Sequence, residues 1–357
     1  PEMLFSPFQV DEGEYPPLEP LGDILERWPQ DDIDNPPSLI VENLQIFDFS
    51  DPVQRQAALA FREAELPFKV YNVPELTDAG LKWTDEYVSQ NFDYGPNPHN
   101  RKKSKGTCQQ SHNNFFAFFT PKNWNVETMG PPPTYDTDWN FALWAKHARY
   151  ADAIGLRPDA NHYYWQSGVP HTERRLPKTS WTFVSLDLPS FSDPNPNFFS
   201  FNPKEQKGIQ CRFGERGVTA ATHYDAGRNM VAMITGAKRY ILSPPKACTK
   251  LGIVSKRGHP SFRHSMLNFA HMQFLDSDYE DAKDMHHTEE DWLRIAKDSP
   301  AIDTVLKAGE VLYIPSHWFH YIISLQKSAQ CNVRSGREVD GTKEFGGFKD
   351  VVKCVGE

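Results

Sequence analysis

The run from Thr219 to Pro245 constrains this chain more than any other stretch. It reads as a strand ending in Thr222-His223-Tyr224-Asp225, a strand from Asn229, a turn at Gly236, a further strand through Lys238 and a stop at Pro244-Pro245. On a strand, residues two apart project from one face, so the His223 imidazole and the Asp225 carboxylate can converge on one ion. A second histidine-bearing run, Tyr313-Ile-Pro-Ser-His317-Trp-Phe-His320, places His320 95 positions past Asp225. The fold must bring these distant strands together, which a jelly-roll-like double sheet does.

Two histidines and one carboxylate with open positions beside them form the facial ligand set of non-haem iron(II) sites. Taken singly, each residue is an ordinary polar group at a strand end. His317 rivals His320 as the third donor on sequence alone. Lys238 is a point-charge ammonium in a largely apolar strand, which calls for an anion to justify its burial.

The other class signals are weaker. The 357 residues carry a net charge of −9 with 39% hydrophobic and 24% charged residues, which suits a globular chain rather than a dedicated nucleic-acid binder. The basic run Arg101–Lys105 reads as a solvated loop. No apolar run reaches membrane-spanning length. The five cysteines are scattered with no CxxC, so reduced, mostly buried thiols are the expectation. The chain contains no Asn-x-Ser/Thr and starts at Pro1, which suggests an intracellular setting (cytoplasm or nucleus) and leaves room for an upstream targeting segment.

Along the chain, residues 1–39 read as an extended acidic, Pro-rich arm, and 40–160 as a mixed helical and strand elaboration. A β-rich core spans 161–335 with an insertion at 255–299, followed by a tail, 336–357. Asp51-Pro52 opens a helix ending near Leu66, Thr77 to Phe92 reads as one helix, and Asp136 to Ile154 as another. Asn114–Phe119, Asn161–Gln166 and Trp181–Ser185 read as strands. The histidines His259, His264, His271, His286 and His287 fit no zinc spacing and read, with Arg263, as a polar cover over the site mouth.

His223-Tyr-Asp225, Asn229, the Gly-Ala-Lys238-Arg-Tyr-Ile-Leu-x-Pro-Pro run and Gly309-Glu-Val-Leu-Tyr-Ile-Pro315-x-x-Trp-x-His320 together resemble a JmjC-type 2-oxoglutarate oxygenase. The nearest subgroup is the small hydroxylases typified by the asparaginyl hydroxylase acting on hypoxia-inducible factor. The resemblance implies a mainly β fold with α elements: a double-stranded β-helix, cupin-like, with helices outside. It implies Fe(II) held by His223, Asp225 and His320, with 2-oxoglutarate as cosubstrate and O2 as oxidant. Lys238 and Tyr164 would take the remote carboxylate, with Thr219 adding a hydroxyl, although the pattern places that threonine three rather than four residues before His223. Asn229 and Asn332 would stand near the other carboxylate, and Gln166 and Arg239 would border the site.

The implied reaction is hydroxylation of a C–H bond on a protein or peptide substrate. Two alternatives stand beside it: N-methyl-lysine demethylation, whose family members typically carry His-x-Glu rather than His-x-Asp, and a non-catalytic cupin-like binding protein. An oligomer is also open, since relatives of this kind often dimerise through C-terminal segments, and here the tail is short.

Overall fold

The computed structural model describes residues 4–6, 15–93, 106–116, 124–169, 183–193, 195–206, 208–255, 258–269, 273–274, 288–337 and 344–355. The loop reading of Arg101–Lys105 and the placements of His271, His286 and His287 lie outside them.

The strands are β1 (Leu4–Ser6), β2 (Glu19–Pro20), β3 (Leu39–Val41), β4 (Ile46–Asp48), β5 (Phe68–Tyr71), β6 (Thr107–Ser111), β7 (Phe115–Phe116), β8 (Thr134–Thr137) and β9 (His162–Val169). They continue as β10 (Ile209–Gly214), β11 (Thr219–Tyr224), β12 (Asn229–Thr235), β13 (Ala237–Ser243), β14 (Leu267–Asn268) and β15 (Gln273–Phe274). The last four are β16 (Pro300–Lys307), β17 (Val311–Ile314), β18 (Phe319–Ser324) and β19 (Ser328–Arg334). A nine-stranded sheet runs β4-β5-β17-β12-β19-β10-β9-β6-β8, and a six-stranded sheet runs β2-β16-β13-β18-β11-β7. From β10 on, β10, β12, β17 and β19 lie in the nine-stranded sheet and β11, β13, β16 and β18 in the six-stranded one. The chain crosses between them at each step except β13 to β16, where the separate β14–β15 pair intervenes, and this is the double-stranded β-helix the sequence implied.

Period-two alternation sorts the side chains into layers. On the nine-stranded sheet, Cys211, Phe213, Met230, Ala232, Cys331 and Val333 face outward and join a buried core with Phe68, Trp144 and Trp165. On the six-stranded sheet, Ile241, Phe319, Tyr321 and Ile323 face outward against Leu21, Ile24 and Trp292. Between the sheets lie Val231, Met233, Tyr240, Leu242 and Leu312, next to a cavity that Val231 and Tyr240 also line.

Local chemistry explains most elements. Asp51 accepts a hydrogen bond from the Val53 amide and Pro52 opens the helix Pro52–Glu63. Thr288 and Asp291 form a capping box for Glu289–Lys297. Gly236, at φ +79°, turns β12 into β13 where a Cβ would fall 2.4 Å from the Lys327 carbonyl oxygen, so only glycine fits.

Several expectations are corrected. Within the segment read as an extended arm, Leu21–Arg27 is a helix, and Leu21, Ile24 and Trp28 are buried. The helix expected from Thr77 to Phe92 is two, Pro74–Lys82 and Asp85–Asp93, because the chain breaks at Trp83, whose indole donates to Asp187. Asp136 lies in β8, and the helix after it starts at Phe141 behind the Asn140 cap. Of the strand expected over Trp181–Ser185, the first two residues lie outside the described ones and the rest open a helical turn, Phe183–Asp187. The cysteines pair: Cys211 with Cys331, directly opposite on β10 and β19, and Cys248 with Cys354, leaving Cys108 as the free, buried thiol.

Candidate active site

A cavity of about 410 Å³ opens between the sheets, lined by Tyr164, Gln166, Arg212, Ala220, His223, Asp225, Asn229, Tyr240, Phe262, Arg263, His264, His320, Asn332 and Arg334 among others. His223, Asp225 and His320 offer donor atoms all within 4.8 Å of one another, and no other such group of three occurs among the described residues.

A main-chain irregularity aims the first histidine. β11 pairs with β18 at Thr219↔Ile323 and Ala220↔Ile322, then again at His223↔His320, so two residues of β11 face one of β18. This bulge shifts the side-chain parity: Ala220 and His223, three apart, both face the cavity. Asp225 lies one residue past β11 and its carbonyl accepts the His317 amide at 2.9 Å. His317, at φ +65°, packs against Tyr224 and Phe348 and stays outside the donor group.

The donor set fits a metal ion. His223 Nδ1 lies 2.8 Å from the Ala221 carbonyl oxygen and His320 Nδ1 lies 3.1 Å from that of Trp318. Each carbonyl can only accept, so the proton sits on Nδ1 and each Nε2 presents a lone pair. Those two Nε2 atoms are 3.1 Å apart. Two lone pairs that close would repel each other unless they share an electrophile, and with the Asp225 carboxylate they form the donor set that would hold a metal ion. Burial, then the proximity of His320, pushes the His223 imidazole down to about 3, and burial lowers His320 too, so both stay neutral and free to ligate. Burial alone would raise the Asp225 carboxyl, yet the Arg334 guanidinium and the two imidazoles hold it at about 2. Arg334 Nη1 pairs with Asp225 Oδ1, while Asn229 Nδ2 donates to Oδ2 at 3.2 Å and Asn332 Nδ2 donates to Asn229 Oδ1 at 2.9 Å. Asn229 and Asn332 thus form a relay that sets the carboxylate.

The inner end of the cavity is cationic. Lys238 is 1% exposed, with its Nζ 5.4 Å from the centre of the Tyr164 ring. Lys238 itself stands just behind the lining residues. It makes no hydrogen bond or ion pair among the described residues, and burial, with Arg212 adding, pushes its ammonium down to about 7. The Tyr164 hydroxyl is pushed up to about 12 by burial and stays protonated as a donor.

Two expected site residues are not brought to the cavity. The Thr219 hydroxyl accepts from Gln30 Nε2 and donates to the Gly217 carbonyl, because the bulge turns it outward and leaves Ala220 in its place. Arg239 points away from Lys238, as neighbours on a strand must, and forks onto Asp303 beside Trp28. Gln166 does line the cavity. Of the histidine cover, His264 stacks on His223 with ring centres 5.2 Å apart, and His259 is buried. Arg212 and Arg334 went unnoticed in the sequence. Alternation could have found both, since Arg212 falls between Cys211 and Phe213, and Arg334 shares the parity of Asn332.

Residues 159–334 match the model of a family described as a cupin-like domain. The chain is 27% identical over 134 residues to "Lysine-specific demethylase JMJ30" of Arabidopsis thaliana, covering 37% of this chain and 27% of that protein. It is 26% identical over 146 residues to "JmjC domain-containing protein D" of Dictyostelium discoideum, covering 41% and 28%. It is 25% identical over 138 residues to "tRNA wybutosine-synthesizing protein 5" of Danio rerio, covering 39% and 35%. The chain thus spans about a quarter to a third of the length of the curated relatives it matches. No helix among the described residues is long and apolar enough to cross a membrane. Sheet order, donor geometry and similarity converge: residues 159–334 form a cupin-like domain similar to those of JmjC-type proteins.

Proposed function

We propose that this chain is an Fe(II)- and 2-oxoglutarate-dependent oxygenase that hydroxylates a C–H bond of a protein side chain. The observation that carries the reading is one cavity lined by a three-donor metal site, with a buried lysine that has no anionic partner among the described residues standing behind its wall beside Tyr164. When bound, iron(II) with 2-oxoglutarate and O2 supplies the oxidising chemistry. The chain's own part is to hold and orient. His223, Asp225 and His320 would ligate the ion, with the Ala221 and Trp318 carbonyls fixing the imidazoles and Arg334 and Asn229 fixing the carboxylate. Lys238 and Tyr164 would bind the remote carboxylate and so orient the cosubstrate. Phe116, Val231, Ile314 and Ile322 would give the cavity part of its apolar lining.

Demethylation is the second reading, favoured by the name of the Arabidopsis relative. A methyl-ammonium would need rings or carboxylates free to surround it. Trp165, Trp318 and Phe319, which could have supplied rings, are packed into the cores instead. Of the five tyrosine and phenylalanine rings that line the cavity, three already face protein cations, Tyr164 facing Lys238 and Tyr224 and Phe262 facing Arg263, which leaves Phe116 and Tyr240. Three lining arginines stand against one carboxylate, Asp225. These features support hydroxylation of an uncharged or acidic group. The test is incubation with iron(II), 2-oxoglutarate and O2 and a panel of unmodified peptides and methylated histone tails. A mass gain of one oxygen on an unmethylated peptide, coupled to succinate, is expected; formaldehyde released from the methylated tails overturns the reading.

A further inference from the structure

Two cations close the inner end of the cavity, and the reading above gives a role to only one. Arg212 lies on β10 between the outward-facing Cys211 and Phe213, so its side chain runs inward, opposite Gln166 on β9 and Gln330 on β19. It lines the cavity. Its protein hydrogen bonds all leave from Nη1, to the carbonyls of Cys211 at 3.1 Å and Ser167 at 3.5 Å. Among the described residues it has no carboxylate partner, and Nε and Nη2 bond nothing. An arginine offers five N–H donors in a planar fork, so most of this one's capacity is unused.

The neighbours of that fork point to a carboxylate. Tyr164 pairs with Gly214, one pleat along from Arg212, a diagonal that long side chains span. A Cβ at Gly214 would fall 2.2 Å from Ser324 Oγ, so the two sheets pinch shut there and bound the space in front of Arg212. Lys238 pairs with Ser324 on the far wall. Two like charges and a phenol therefore stand together with no ion-pair partner among the described residues, Asp225 acting on Arg212 only at a distance, an arrangement that costs free energy until an anion enters. The hydroxyl expected here is missing, because Thr219 turns outward and Ala220 takes the inward place.

Resting on the cosubstrate reading, we propose that Arg212 is a second anchor for the remote carboxylate of a dicarboxylic 2-oxo acid, supplying the donor that Ala220 lacks. Arg212 grips the carboxylate with its fork, and Lys238 meets it as a point charge from the opposite sheet.

The experiment is calorimetric binding to the full chain loaded with manganese(II) in the absence of O2, so that no turnover intervenes. Two ligands are compared: 2-oxoglutarate, and 2-oxopentanoate, which has a methyl group where the remote carboxylate would be. Arg212→Met is expected to weaken 2-oxoglutarate roughly ten- to a hundredfold and leave 2-oxopentanoate unchanged, with Arg212→Lys restoring part of the loss. Equal weakening of both ligands, with no rescue by Lys, overturns the inference by making Arg212 a packing residue. Unchanged 2-oxoglutarate affinity in Arg212→Met overturns it while leaving the cosubstrate reading intact. A wild-type chain that fails to bind 2-oxoglutarate overturns both.

Discussion

The two ends of the cavity solve opposite problems. At the metal end the protein positions its donors before any ion arrives: carbonyls of Ala221 and Trp318 set the imidazoles, and Arg334 and Asn229 set the Asp225 carboxylate. At the inner end Lys238 and Arg212 have no anionic partner among the described residues, and burial works against the charge of each. One end is organised from within; the other is left electrostatically incomplete, and a ligand completes it.

The largest effect should come from breaking the organised end. His223→Ala, Asp225→Ala or His320→Ala each removes one of three donors, and metal analysis after dialysis should find the ion lost together with all iron-dependent turnover. His317→Ala should keep the metal, since His317 packs on Tyr224 and Phe348 outside the donor group. Metal loss on His317→Ala with retention on His320→Ala would show the donors to be misassigned.

At the incomplete end, Lys238→Met should spare the metal and weaken 2-oxoglutarate by roughly two to three orders of magnitude, since one partner of a buried charge pair costs about 3–5 kcal/mol. Calorimetry on the metal-loaded chain measures both quantities; loss of metal in this variant would erase the distinction between the ends.

A smaller effect concerns pH. The Lys238 ammonium of the free protein titrates at about 7, and a bound carboxylate favours its charged form and raises it. Binding therefore takes up a proton above neutrality, and affinity falls as pH rises. From pH 7 to 8 the wild type should lose roughly fivefold in 2-oxoglutarate affinity if the charged form alone binds well. Lys238→Met should show a flat profile over that range, and an equally steep fall in the variant would assign the proton elsewhere.

The metal end was legible because its chemistry is written in residue types at motif spacing: His223, Asp225 and His320 could be chosen, and Lys238 stood out as a charge in an apolar strand. The assignment of Thr219 to the remote carboxylate misplaces it: the bulge in β11 inverts the strand parity, and its one trace in the sequence is the extra residue between Thr219 and His223. Arg239 was a failure of a different kind, since alternation from Lys238 already sends it outward to Asp303. Cys211 and Cys331 are 120 positions apart and become neighbours only through the β10–β19 register, which spacing does not reveal. In the acidic amino-terminal stretch, Leu21, Ile24 and Trp28 keep a helical spacing that the surrounding Pro, Asp and Glu obscure.

The most direct test of the paired ends is anaerobic calorimetry of 2-oxoglutarate with the wild-type chain, run once with iron(II) and once with the metal removed by a chelator. One site per chain, tight with iron(II) and much weaker without it, is the expected result, because the ligand must bridge the metal and the Lys238–Arg212 end. Binding of equal strength with and without metal, or no binding in either case, would contradict a cavity built around the two ends together.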